Sequence, residues 1–164
     1  MRGLVVASAC VVLVSGLQAG CSAPLRAPSV SPSGGTATTF ACVQPSESPL
    51  PQWARDGFSP PDQSVAHLLS SDGHIVAVPF GWPLRERQPE GRSNKILWVA
   101  DRNGGGPMTI DARRDSDSTV VHRELPDGPG PSIVDLPGRG CWQLDLAWPG
   151  GRDRIYLQYL GPAA

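Results

Sequence analysis

The stretch Cys141-Trp142-Gln143-Leu144-Asp145-Leu146-Ala147-Trp148-Pro149-Gly150-Gly151-Arg152-Asp153-Arg154-Ile155-Tyr156-Leu157-Gln158-Tyr159-Leu160 alternates apolar and polar side chains on both sides of a Pro-Gly-Gly turn. Trp142, Leu144, Leu146 and Trp148 fall on one face, and Gln143 and Asp145 fall on the other. Beyond the turn, Ile155, Leu157 and Tyr159 keep the same alternation. Successive side chains of a strand point to opposite faces, so this period of two predicts an antiparallel hairpin with one buried face and one wet face.

The same period recurs upstream, at residues 74–80, 95–101, 108–113, 119–124 and 132–136. Turn-forming segments at 103–107, 126–131 and 149–153 punctuate it about every ten residues, the spacing of an all-β sandwich. Helix signals are scarce, and only residues 63–69 tolerate a short helical turn. The expected fold is therefore all-β, an antiparallel β-sandwich of about seven strands filling residues 41–164.

Ahead of this domain, a lone Arg2 precedes an apolar run at residues 4–14. That run matches the 7–15 residues of a signal h-region and falls well short of the ~20 that span a bilayer. It leads to Leu17-Gln18-Ala19-Gly20-Cys21, which resembles the lipid-attachment signal of bacterial lipoproteins. Ala19 and Gly20 fit that pattern, while Gln18 stands where an apolar residue is usual and Leu17 lies one place early. Residues 1–20 are read as a signal peptide and Cys21 as the lipidated residue. The competing reading is ordinary secretion, whose cleavage rule of small residues at alternate positions Leu17 and Gln18 satisfy poorly. Residues 21–40 would form the lipidated N-terminus and a disordered tether, because their Ser/Thr/Pro/Gly composition buries too little apolar surface to offset ordering entropy. Thr36, Thr38 and Thr39 are the acceptors if the tract instead carries O-linked sugars.

Cysteine arithmetic agrees with lipidation. Cys10 leaves with the signal and Cys21 becomes a thioether, so Cys42 and Cys141 remain. An even pair in an oxidising envelope reads as one disulfide, closing a loop of about a hundred residues. The alternative, a metal site, lacks a C-x-x-C or a nearby histidine.

The formal charge is −1, and about −2 once Arg2 is removed, so no basic field exists to attract nucleic acid. Lys95 is the only lysine against thirteen arginines, a composition typical of high-GC genomes. The three histidines, His67, His74 and His122, form no H-E-x-x-H or H-x-H pair, and nothing beyond Cys141 supplies the His and Met of a copper site. No G-x-S-x-G elbow and no S-x-x-K is present. Asp115 and Asp117 lie in a segment without the Gly and distal Glu of an EF-hand, so a solvated hairpin is preferred to a calcium loop. No cofactor is expected.

Leu136-Pro137-Gly138-Arg139-Gly140-Cys141-Trp142-Gln143-Leu144 resembles the approach to the penultimate strand of immunoglobulin-like domains. With Gly91-Arg92-Ser93-Asn94-Lys95-Ile96-Leu97-Trp98-Val99 and Gly130-Pro131-Ser132-Ile133-Val134-Asp135-Leu136-Pro137, it is similar to a family of uncharacterised lipoproteins of high-GC Gram-positive bacteria. The resemblance covers the chain from about Trp53 onward. It implies an immunoglobulin-like sandwich exported to the envelope and, since that family has no established activity, supplies no catalytic residues to carry over.

Two features are binding candidates. Trp82, between Gly81 and Pro83 at a strand end, either stays exposed to stack on a ligand or folds back to cap the core. The polar connection at residues 84–94 carries Arg85, Arg87 and Arg92, which either clamp carboxylates or phosphates or merely solvate a loop also bearing Glu86 and Glu90. Trp53, Trp98, Trp142 and Trp148 read as core or rim packing. The expected role is a non-catalytic binding or adaptor module for another envelope component, lipid-anchored on the extracytoplasmic face of the cell membrane. A small hydrolase or glycan-processing enzyme and a cell-wall glycan binder are the alternatives. A deep pocket with a histidine or paired carboxylates converging, or His74 and His122 within reach of a serine or carboxylate in a cleft, would favour an enzyme; a flat or grooved apolar patch rimmed by charge would favour an adaptor. Cys21→Ala is expected to move the protein from the membrane fraction to the soluble fraction; continued sedimentation with membranes would reject the lipid anchor.

Overall fold

The computed structural model of the protein describes residues 41–59, 64–117 and 119–163, and the signal peptide, Cys21 and the tether lie outside them. Along the chain run β1 (Ser46–Pro49), β2 (Ser64–Leu69), β3 (Ile75–Pro79), β4 (Leu84–Arg85), β5 (Lys95–Ala100), β6 (Met108–Arg114), β7 (Val120–Leu125), β8 (Pro131–Ile133), β9 (Gly140–Trp148) and β10 (Gly151–Leu160). One sheet has the order β1-β2-β3-β5-β8 and the other β4-β10-β9-β6-β7. Every pairing is antiparallel except that of β4 with β10. The fold is an all-β sandwich.

Ten strands among the described residues replace the expected seven or so. β1 and β4 are too short to show a period. β2 occupies the segment where a helical turn was expected, and its apolar residues look aperiodic because both of its faces are covered: Leu68 enters the main core while Val65 packs into a second cluster. That second cluster forms where Leu50, Trp53, Ala54 and Phe58 cover Val76 and Val99 on the outer side of the first sheet.

The 140–160 hairpin carries the period that the sequence displays. Gly151 pairs with Trp148 and Tyr159 with Gly140, so Pro149 and Gly150 alone form the turn. Trp142, Leu144, Leu146, Ile155 and Leu157 are buried against Ile75, Ile96 and Trp98 of the opposite sheet. Each such side chain contributes about 1.5–3 kcal/mol of transfer free energy. The three strand tryptophans keep their indole N–H groups satisfied: Trp98 donates to Ser132 Oγ (2.9 Å), Trp142 to the Gly138 carbonyl (3.2 Å) and Trp148 to the Arg102 carbonyl (2.6 Å). The Arg102 carbonyl also explains Gly150, since a Cβ there would collide with that oxygen.

Three devices join the sheets covalently or through buried polar groups. The Cys42–Cys141 disulfide, at a sequence separation of 99, ties the segment before β1 to β9; a loop of that size is worth about 4.7 kcal/mol on the chain-entropy account. Tyr159 of β10 donates its hydroxyl to the Val134 carbonyl beyond β8 (2.5 Å), and burial pushes its ionisation well above the usual tyrosine range. Asp153 of β10 gathers the β2–β3 turn: it accepts from Ser70 Oγ (2.5 Å) and from the amides of Asp72 (3.0 Å), His74 (2.9 Å) and Arg154 (2.6 Å).

Burial of Asp153 opposes its ionisation, but the Ser70 hydroxyl and the three amides outweigh that and hold its carboxyl below the usual carboxylate range. A carboxylate with a depressed folded pKa stabilises the fold fully above its unfolded value of ~3.9 and loses that contribution as pH falls through the folded value. Asp153→Asn is therefore expected to lower stability at pH 7 and to flatten the loss of stability below about pH 4 relative to wild type. Denaturant titrations at several pH values check this; parallel acid profiles would show that Asp153 carries no linked stability.

Candidate functional site

After Pro79 the chain leaves one sheet and joins the edge of the other as β4, placing Phe80, Gly81 and Trp82 at the corner between them. The Phe80 amide still bonds the Lys95 carbonyl (2.9 Å), so the corner starts in register with β5. Leu84 and Arg85 then pair parallel with Tyr159 and Leu160 at the end of β10, and Leu84 is fully buried. The connection at residues 84–94, expected to lack structure of its own, is thus anchored at its first step by a strand.

Its last residue anchors it again. Asn94, 1% exposed, accepts from the Arg85 amide (3.0 Å) and from Gln88 Nε2 (2.7 Å), and donates Nδ2 to the Arg85 carbonyl (2.7 Å) and to Asp135 Oδ1 (2.7 Å). Gln88 Nε2 also reaches the Pro83 carbonyl (3.2 Å). A carboxamide suits this place because it has both acceptor and donor capacity for a backbone strand that has no partner on that side.

The anchored connection and the corner enclose a cleft of about 400 Å³. Phe80, Trp82, Arg85, Arg92 and Lys95 line it, and among the described residues no Asp or Glu does. Trp82 is 37% exposed and Phe80 60%. Arg85 Nη1 donates to the Gly161 carbonyl (3.0 Å), which fixes the guanidinium at the rim. Lys95 Nζ lies 4.8 Å from the centre of the Phe80 ring. Among the described residues, neither Arg92 nor Lys95 forms an ion pair. Glu86 points elsewhere, accepting the Arg139 amide (2.9 Å).

Three of the four candidates read from the sequence, Trp82, Arg85 and Arg92, therefore meet in one cleft. Arg87 is exposed and does not line it. Phe80 and Lys95 were not singled out. Phe80 continues the outward positions of Val76 and Val78, a pattern visible in the sequence, but its proximity to Lys95 depends on the β3–β5 register. Cys42 and Cys141 are bonded to each other, and Cys21 lies outside the described residues.

Other polar side chains pair away from this cleft, although Asp101 Oδ1 is buried without a hydrogen-bond partner among the described residues. His74 Nδ1 lies 2.9 Å from Asp101 Oδ2 and His122 Nδ1 2.8 Å from Asp111 Oδ1, so both histidines meet a carboxylate, but neither lines the Trp82 cleft. A broader depression of about 640 Å³ on the outer face of the second sheet contains Asp111, Asp145, Arg152 and Arg154. There the β7-β6-β9-β10 register sets His122, Asp111, Asp145 and Arg154 in one row, and Arg154 Nε bonds Asp145 Oδ1 (2.6 Å). Asp117 is held by Arg114 and by Thr119, and those bonds, Arg114's first, keep its carboxyl far below the usual range. Among the described residues no group of three His, Cys, Asp or Glu is placed to hold a metal ion.

Asn94→Ala is expected to lower the unfolding free energy by about 1–3 kcal/mol for each buried group left without a partner. Chemical denaturation checks it, and an unchanged midpoint would show that the cleft wall does not depend on Asn94. In comparisons with known proteins, the chain matches no family model, no curated protein and no solved structure, so its site is defined by this geometry.

Proposed function

We propose that this chain is a lipid-anchored envelope protein whose sandwich is a non-catalytic binding module, with the Trp82 cleft as its binding site. The observation that carries the reading is the convergence of Phe80 and Trp82 with Arg85, Arg92 and Lys95 in one cleft that no Asp or Glu lines among the described residues. Such a site offers an apolar face and positive charge but no paired acid and base, which suits recognition rather than bond cleavage. Export draws support from the Cys42–Cys141 bond, which belongs to oxidising compartments, and from the signal-like sequence ending at Cys21. The ligand lies within reach of a membrane surface, as a tether of about twenty residues would allow. The hydrolase alternative would have to recruit His74–Asp101 or His122–Asp111, both of which lack a nucleophile in hydrogen-bonding contact with the histidine among the described residues.

The immunoglobulin-type reading of the sandwich draws support from strand order. β3, β5 and β8 adjoin in one sheet and β6, β9 and β10 in the other, as strands A, B, E and C, F, G do in that fold.

The reading is tested by passing solubilised envelope over the immobilised full-length protein. Wild type is expected to retain a specific envelope component, and Trp82→Ala to lose it. Equal retention by both would place binding away from the cleft, and no retention by wild type would reject the binding module.

A further inference from the structure

We infer that the Trp82 cleft takes an anionic saccharide, a sugar ring bearing a carboxylate or a phosphate; this rests on the binding-module reading above. The cleft offers two kinds of contact side by side. Trp82, 37% exposed, lines the cleft, and an indole is the kind of ring on which the C–H face of a sugar stacks. Arg85, Arg92 and Lys95 line the same cleft, and Arg92 and Lys95 have no ion-pair partner among the described residues.

Among the described residues no Asp or Glu lines the cleft beside them, although the whole chain carries a formal charge of −1. An exposed guanidinium and ammonium left without carboxylates attract an external anion, and Arg85, steadied by the Gly161 carbonyl (3.0 Å), needs little further ordering to join them. Asn94 clamps both ends of the connection that carries these groups, so the site is largely formed before a ligand arrives.

Shape favours a ring-sized ligand over a membrane surface or an acidic peptide. The cleft of about 400 Å³ is concave, within the range of small-molecule sites, and its cations lie on the lining. A lipid surface would instead be met by a convex apolar apex ringed by charge. A peptide strand would need a sheet edge to extend, and β4 offers two residues.

The test is titration of the full-length protein in neutral detergent with glucuronate and with N-acetylglucosamine 1-phosphate. Neutral N-acetylglucosamine, inorganic phosphate and phosphatidylglycerol vesicles serve as comparisons. The charged sugars are expected to bind saturably and about tenfold tighter than the neutral sugar or phosphate alone, because only they engage both contacts. Arg92→Ala and Lys95→Ala are each expected to weaken that binding about threefold or more, with a steep loss in high salt, and Arg87→Ala to leave it unchanged. Trp82→Ala should bring the sugar phosphate down to the affinity of inorganic phosphate. Equal affinity of wild type for inorganic phosphate and the sugar phosphate would overturn the inference, as would an Arg87→Ala loss matching that of Arg92→Ala. Vesicle binding that depends on Arg92 and Lys95 without binding of free charged sugars would also overturn it, making the patch a membrane contact. If wild type retains an envelope component that Trp82→Ala loses, yet no charged sugar binds, this inference falls and the binding module stands; absence of both rejects the two together.

Discussion

One face of the β9–β10 hairpin has to be buried, and the architecture follows from that requirement. Trp142, Leu144, Leu146, Trp148, Ile155, Leu157 and Tyr159 form a continuous apolar surface that a hairpin alone cannot hide. A second sheet covers it with Ile75, Ala77, Ile96 and Trp98. The tryptophans and Tyr159 bring polar atoms into this core, and each finds a carbonyl or hydroxyl at its rim, so their burial leaves no unmet indole or phenol hydrogen.

Turns and connections between strands impose a second constraint, since each leaves backbone groups without ladder partners. The molecule meets it with single side chains of high bonding capacity. Asp153 accepts four donors around the β2–β3 turn, and Asn94 both accepts and donates around β4. Both are buried polar residues that would be costly if unpaired, and their full pairing fixes the position of the turn or connection they hold. The cleft at Trp82 is a consequence: its wall stands because Asn94 secures a connection otherwise long enough to move.

Charge is distributed unevenly over this frame. On the outer face of the second sheet, acids meet basic side chains across the register, His122 beside Asp111 and Arg154 bonded to Asp145. At the corner beside Trp82, Arg92 and Lys95 line a cleft with no Asp or Glu among the described residues. The contrast separates a surface that satisfies itself from one that has unspent capacity for an external partner.

The sequence by itself determined the strands with a clean period of two, a Pro-Gly-Gly turn after Trp148, and the class of the fold, because alternation records which side of a strand is buried. It also identified Cys42 and Cys141 as a pair, by counting, and singled out Trp82 and the arginines near it while leaving open whether Trp82 caps the core or meets a ligand. Tertiary structure alone decided the rest. β2 is covered on both faces by packing from distant residues, which erases the period, and β4 is a two-residue strand defined only by its pairing with β10. Phe80 and Lys95 joined Trp82 through the register of β3 with β5, while Arg87, equally prominent in the sequence, was turned away. The physical reason is that local pattern encodes burial along one strand, whereas the meeting of side chains at a corner depends on which strands pair and how the sheets stack.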